Sequence, residues 1–132
     1  VYCGGCLVVG GPRYADEPQA VARIASHPAF AGWQLVVVTD EPYRAARSDM
    51  NFLWTTFTRF EPAADIYAAG VRVVRNHLSY SAPVFIDARM KPWYPKEVSG
   101  RPDVAATVSR RWREYFPTRQ VEMGDSERGH LD

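Results

Sequence analysis

A small α/β domain with a mostly parallel sheet, built as a single-domain three-layer sandwich, is the fold this sequence predicts. Two segments carry that prediction. Gln34-Leu35-Val36-Val37-Val38-Thr39-Asp40 and Pro83-Val84-Phe85-Ile86-Asp87 are continuous apolar runs of strand length, each ending in an acid. Runs of this kind belong to strands covered on both faces. The third observation is the helical spacing of apolar residues between them, because strand and helix in alternation is the pattern of an open parallel layer. The 132 residues suit one domain, since domains cluster near ~100–150 residues. It is placed at 1–116, followed by a polar, aperiodic tail at 117–132.

Each element has a local reason. Leu7-Val8-Val9 is a short apolar run closed by Gly10-Gly11-Pro12, a buried strand and its turn. Asp16, Glu17 and Pro18 are the chemistry of a helix start, Ala20, Val21 and Ile24 give an apolar stripe, and Pro28 ends the helix near His27. After the central strand, Ser48 caps a second helix with Asp49 in its first turn. Met50, Leu53, Trp54 and Phe57 recur at helical spacing and are expected to lie against the sheet, until Glu61-Pro62 interrupts. Residues 66–75 read ambiguously, with Val71, Val73 and Val74 favouring a short strand and Gly70 a break. Residues 76–81 read as a loop. Lys91-Pro92-Trp93-Tyr94-Pro95 reads as an irregular surface loop, since two prolines so close preclude regular pairing. Pro102 and Asp103 open a last helix bearing Val104, Val108, Trp112 and Tyr115 on one face. Trp54, Phe57 and Trp112 are expected core residues.

Composition narrows the partners. Sixteen Lys and Arg against fifteen Asp and Glu leave a net charge of +1, which gives no field for nucleic acid. The basic residues are nearly all Arg, with Lys91 and Lys96 the two lysines. No apolar run approaches the ~18–20 residues of a membrane span. Nor does Leu7-Val8-Val9 follow a basic stretch as in a signal peptide. Two cysteines make no disulfide framework and fit a reducing, cytoplasmic compartment. The aromatics, Trp33, Trp54, Trp93 and Trp112 among them, exceed what one small core hides, so part of them is expected at a protein interface.

Candidates for chemistry are few. Cys3-Gly4-Gly5-Cys6 is a C-x-x-C that can ligate a metal or cycle as a redox pair. A strand follows it rather than the helix a redox motif wants, no second cysteine pair completes a zinc site, and His27, His77 and His130 lack ligand spacing. Incidental thiols remain the plain alternative to a metal site at Cys3 and Cys6. Gly10-Gly11-Pro12 lacks the spacing of a phosphate loop and Pro12 removes a donor, so it reads as a turn. Asp40, Glu41 and Asp87 end parallel strands, the sheet edge where ligands bind in α/β proteins, yet acids there also serve as caps. Nothing forms a nucleophile–base constellation.

Leu35-Val36-Val37-Val38-Thr39-Asp40, followed by Trp54, Thr58-Arg59, Glu61-Pro62 and Asp65, and then Ile86-Asp87-Ala88, resembles the C-terminal domain of UbiD-type decarboxylases. The resemblance runs from about Leu7 to Phe116. It implies a component of a carboxy-lyase without autonomous activity, acting on an aromatic or unsaturated acid. Prenylated FMN and a divalent metal are implied in a partner catalytic chain or in missing N-terminal domains, with none bound by this chain alone. An oligomer is implied as well. Arg59 and Asp65, with Trp54, are implied as an ion pair or interface, and His77, Leu78 and Ser79 as a loop bordering the substrate pocket. No residue here is implied to be catalytic. The chain reads Asp40-Glu41-Pro42 where the family continues an Asp-rich loop. A non-catalytic scaffold or oligomerisation module is the alternative reading, and a thiol or metal protein using Cys3 and Cys6 a further one.

Overall fold

The structure, a computed structural model, describes residues 1–96 and 101–118. Its elements run β1 (Cys6–Gly10), α1 (Ala20–Ile24), a 3-10 turn (Pro28–Phe30), β2 (Leu35–Thr39), α2 (Pro42–Ala45), α3 (Asp49–Thr58), β3 (Ile66–Val74), β4 (His77–Asp87) and α4 (Pro102–Tyr115). The described residues divide into two compact units, one from Val1 to Tyr94 with the whole sheet and one that begins at Pro95 and holds α4. The predicted tail lies outside the described residues beyond Thr118.

The sheet has the order β1-β2-β4-β3. β2 pairs parallel with β1 and with β4, so both expected buried strands sit side by side at its centre. β3 pairs antiparallel with β4 along the edge, which makes the sheet mixed. Alternation along β2 serves two cores. Val37 packs with Cys6, Ile86, Ala88 and Phe52 of α3, while Val36 and Val38 pack with Phe85 and with Val21 and Ala25 at α1. Val36, Val37, Val38 and Phe85 are almost wholly withdrawn from water. Burying one such side chain contributes roughly 1.5–3 kcal/mol, so this quartet anchors the sheet.

Several expectations are corrected. Residues 66–87 form one long hairpin, with Arg75 and Asn76 turning at φ 49° and 64°. His77, Leu78 and Ser79 therefore lie on a strand, opposite Val74, Val73 and Arg72, and not in a loop. A bulge between Ala68 and Gly70 separates the part of the hairpin seated in the sheet from a ribbon beyond it. Within β4, β2 pairs with Val84–Asp87 alone, so from Gly70 to Ser81 the two strands of the hairpin pair only with each other among the described residues.

Ser48 caps α3 as read, its hydroxyl accepting from Asn51 N–H at 3.1 Å. The buried face of α3 is nevertheless Asn51, Phe52, Thr55 and Thr56. Met50, Leu53, Trp54 and Phe57 are 41–56% exposed. Phe52 fixes this rotation by joining the β2 core and stacking on Tyr2 at 4.1 Å, and the threonines are small enough to lie beside it. Trp54 and Phe57 are thus not core residues. Asp16 lies in a turn and α1 begins at Ala20, because Arg13 O accepts from both Asp16 and Glu17 N–H and closes the turn first.

In the second unit, Pro102 opens α4 and Arg101 forks onto Asp103 at 2.6 and 3.1 Å. None of its side chains is buried. Trp112 is half-buried against Phe116 at 4.5 Å, so it is not the core residue expected.

Candidate functional site

The three parallel strands end together, and their C-terminal edge holds the densest polar chemistry of the first unit. Asp87 closes β4, and its Oδ1 accepts from Arg89 N–H at 3.2 Å, the local turn an aspartate favours after a strand. The Arg89 guanidinium returns onto the same carboxylate, Nε to Oδ1 at 2.8 Å and NH2 to Oδ2 at 2.7 Å. Its remaining donors meet the carbonyls of Pro12 (3.1 Å), Glu17 (2.9 Å) and Pro18 (3.0 Å). All five N–H bonds are thereby used, and both partners are fully buried. Burial disfavours the charged guanidinium, but hydrogen bonds and charge from Asp87 outweigh it, so the Arg89 pKa is raised.

Glycine permits this approach. A Cβ on Gly11 would stand 2.7 Å from Val38 Cγ1 and 3.1 Å from Arg89 Cδ. The Gly10-Gly11-Pro12 turn therefore serves packing, and its Pro12 carbonyl is a ligand of Arg89.

Two residues on, Lys91 is 1% exposed. Its Nζ donates to Arg59 O (2.7 Å) and Asp87 O (2.6 Å) and pairs with Asp65 Oδ2 (2.8 Å). The same Asp65 oxygen accepts from Glu61 N–H at 2.8 Å. Lys91 thus lies in an irregular loop as expected but inside the protein, since the main chain and Asp65 satisfy all three donors. Arg59 pairs with Glu41 at 2.7 Å, so Arg59 and Asp65 each make an ion pair with a partner other than the one expected. Lys91 joins them through the Arg59 carbonyl. Asp40 Oδ2 accepts from Met90 N–H at 2.5 Å. Tyr14 and Tyr94 rest against these cations, at 5.1 Å from Arg89 and 5.7 Å from Lys91 respectively. Burial first, then the charges of Asp65 and Glu61, raise the Tyr94 pKa.

The expected acids Asp40, Glu41 and Asp87 do stand at one sheet edge, where each is engaged with a cation or a main-chain N–H. Sequence reasoning misses Arg89 and Lys91 as members. The one cue in the chain is spacing: Arg89 and Lys91 fall at every second position after Asp87, which ends a buried strand. Lys91 is moreover one of only two lysines. Trp54 lies on the outward side of α3, and His77 and Leu78 are exposed on the ribbon with Ser79 half-buried. Cys3 is exposed and Cys6 buried. Among the described residues, no group of three or more His, Cys, Asp and Glu could hold a metal. No helix among them is long and apolar enough to cross a membrane.

Fold and edge define the class: an α/β protein with a mixed four-stranded sheet whose C-terminal edge is locked by buried ion pairs. Over 120 residues, 91% of its length, the chain is 37% identical to a 4-hydroxybenzoate decarboxylase subunit of Chlamydia pneumoniae. It is 36% identical over 116 residues to an uncharacterized protein of Chlamydia caviae, and 35% over 117 to one of Chlamydia trachomatis. The chain spans 19–20% of the length of these relatives. No family model matches it.

Proposed function

We propose that this chain is the small subunit or C-terminal domain of a UbiD-type (de)carboxylase acting on an aromatic or unsaturated carboxylic acid. One observation carries the reading: 37% identity across nine-tenths of the chain to a 4-hydroxybenzoate decarboxylase subunit, of which it spans 20%. The remainder of such a protein is the natural seat of catalysis. In this reading prenylated FMN and a divalent metal belong to that catalytic part and supply the electron sink for breaking the carboxyl carbon bond. The locked sheet edge fits neither group. Arg89 and Lys91 have every donor engaged, and a cation so committed cannot also bind a phosphate without leaving a buried carboxylate unpaired.

The chain's own residues take part in assembly and pocket closure. Lys91 and Arg89 tie the loops after β1, α3 and β4 into one rigid edge. Val71, Val73, Leu78 and Trp54 are between 41% and 68% exposed, apolar area of the kind that partners cover. His77, Leu78 and Ser79, on the ribbon, border the substrate pocket of the catalytic part in this reading. Trp54 lies at the interface. The oligomer expected from the resemblance forms through the same surfaces.

The test is affinity purification of the tagged chain from its native cells, with mass spectrometry and an absorbance scan. A larger UbiD-like polypeptide carrying a flavin chromophore is the expected companion. Recovery of the chain alone, colourless and self-associated, would instead identify a scaffold module.

A further inference from the structure

Cys3 and Cys6 face each other across a two-residue turn. Cys6 N–H donates to Cys3 O at 3.0 Å, and Cys3 N–H to Cys6 O at 3.4 Å. Gly5 supports the turn at φ +81°, a conformation glycine adopts without cost. Opposed residues that exchange both main-chain bonds hold their Cα atoms about 5.5 Å apart. That separation falls inside the ~4.4–6.8 Å window of a disulfide.

The surroundings hold the turn in place. Tyr2 N–H donates to Cys6 O at 3.1 Å, its ring stacks on Phe52, and its hydroxyl reaches Asp49 at 2.5 Å. The two sulfurs differ in environment: Cys3 is exposed, whereas Cys6 is 6% exposed and its thiol pKa is raised by burial.

We infer that Cys3 and Cys6 form a thiol–disulfide exchange site, oxidised by a low-molecular-weight disulfide of the glutathione class. Cys3, as thiolate, attacks one sulfur of that disulfide. The oxidant's S–S bond breaks, and the departing thiolate takes up the proton that Cys3 released. Cys6 then loses its proton and attacks Cys3 Sγ, expelling the second small thiol. Two protein thiols are oxidised and one disulfide is reduced to two thiols. This site is independent of the decarboxylase reading.

The test incubates the full chain in graded mixtures of reduced and oxidised glutathione, quenches with N-ethylmaleimide and reads the intact mass. As the oxidised fraction rises, the doubly alkylated protein should give way to one two hydrogens lighter that carries neither maleimide nor glutathione. Cys6→Ser should trap glutathione on Cys3. Cys3→Ser should react about tenfold more slowly, since its remaining thiol is buried. The native chain should close at a less oxidising ratio than the chain unfolded in denaturant, and circular dichroism establishes which state is present. Persistence of the doubly alkylated form, a glutathione adduct as the end product of the unmutated chain, or equal closure of folded and unfolded chains would overturn the inference.

Discussion

Replacing Lys91 with Met keeps the stem of the side chain and deletes its charge. The structure sets the cost. Nζ makes three contacts of 2.6–2.8 Å at 1% exposure, two to carbonyls and one to the Asp65 carboxylate. Once it is gone, Asp65, 5% exposed, keeps only the Glu61 N–H among its described partners. Breaking a buried pair by removing one member costs roughly 3–5 kcal/mol, because the other charge stays behind uncompensated. Whole domains are stable by only about 5–15 kcal/mol, so Lys91→Met should bring this one near the margin. Replacing Asp65 with Asn as well should return part of that loss, with a coupling of about 1–3 kcal/mol in the double-mutant cycle. Urea denaturation of the four proteins, followed by far-ultraviolet circular dichroism, measures both quantities. A loss below about 1 kcal/mol for Lys91→Met, or a coupling near zero, would show that the edge is not held by this pair.

Gly11→Ala should destabilise the protein by about 1–3 kcal/mol, because the new methyl meets Val38 Cγ1 at 2.7 Å inside a packed core, and thermal unfolding measures the loss. Thr55→Val should raise stability by about 1 kcal/mol in urea denaturation, since it removes a buried hydroxyl with no hydrogen-bond partner among the described residues. Tyr2 has its pKa pushed up from 10.0 to about 12, first by its hydrogen bond to Asp49 and then by burial and the Asp49 charge. The fold thus favours the protonated phenol. Its contribution is complete below the ordinary value of 10.0 and disappears as pH rises towards about 12, a dependence that Tyr2→Phe should abolish in unfolding measured across that range.

Legibility follows burial. The runs around Val36 and Phe85 are apolar without interruption because both faces of β2 and the end of β4 are covered, and that pattern has one structural meaning. Among the described residues the ribbon from Gly70 to Ser81 pairs with no third strand, so neither clean alternation nor a buried run marks it. Its turn adds little, since positive φ at two successive residues is usually signalled by Asn-Gly and here falls on Arg75-Asn76. On α3 the apolar stripe at Met50, Leu53, Trp54 and Phe57 points to one face and the fold buries the other. Periodicity locates an apolar face but does not say whether this chain or another covers it. At the sheet edge, the acids Asp40, Glu41 and Asp87 are legible because they follow strands. Lys91 reads as exposed because it opens a loop bearing Pro92 and Pro95, and its spacing from Asp87 and Arg89 does not tell that main-chain carbonyls will close around an ammonium.

The most direct test of the proposed role is decarboxylation of 4-hydroxybenzoate, followed as carbon dioxide release. It compares the isolated chain, the larger polypeptide recovered with it, and the two recombined. Activity that requires the larger polypeptide and rises when the chain is restored is the predicted result. Activity from the isolated chain, or a larger polypeptide indifferent to its presence, would contradict the account.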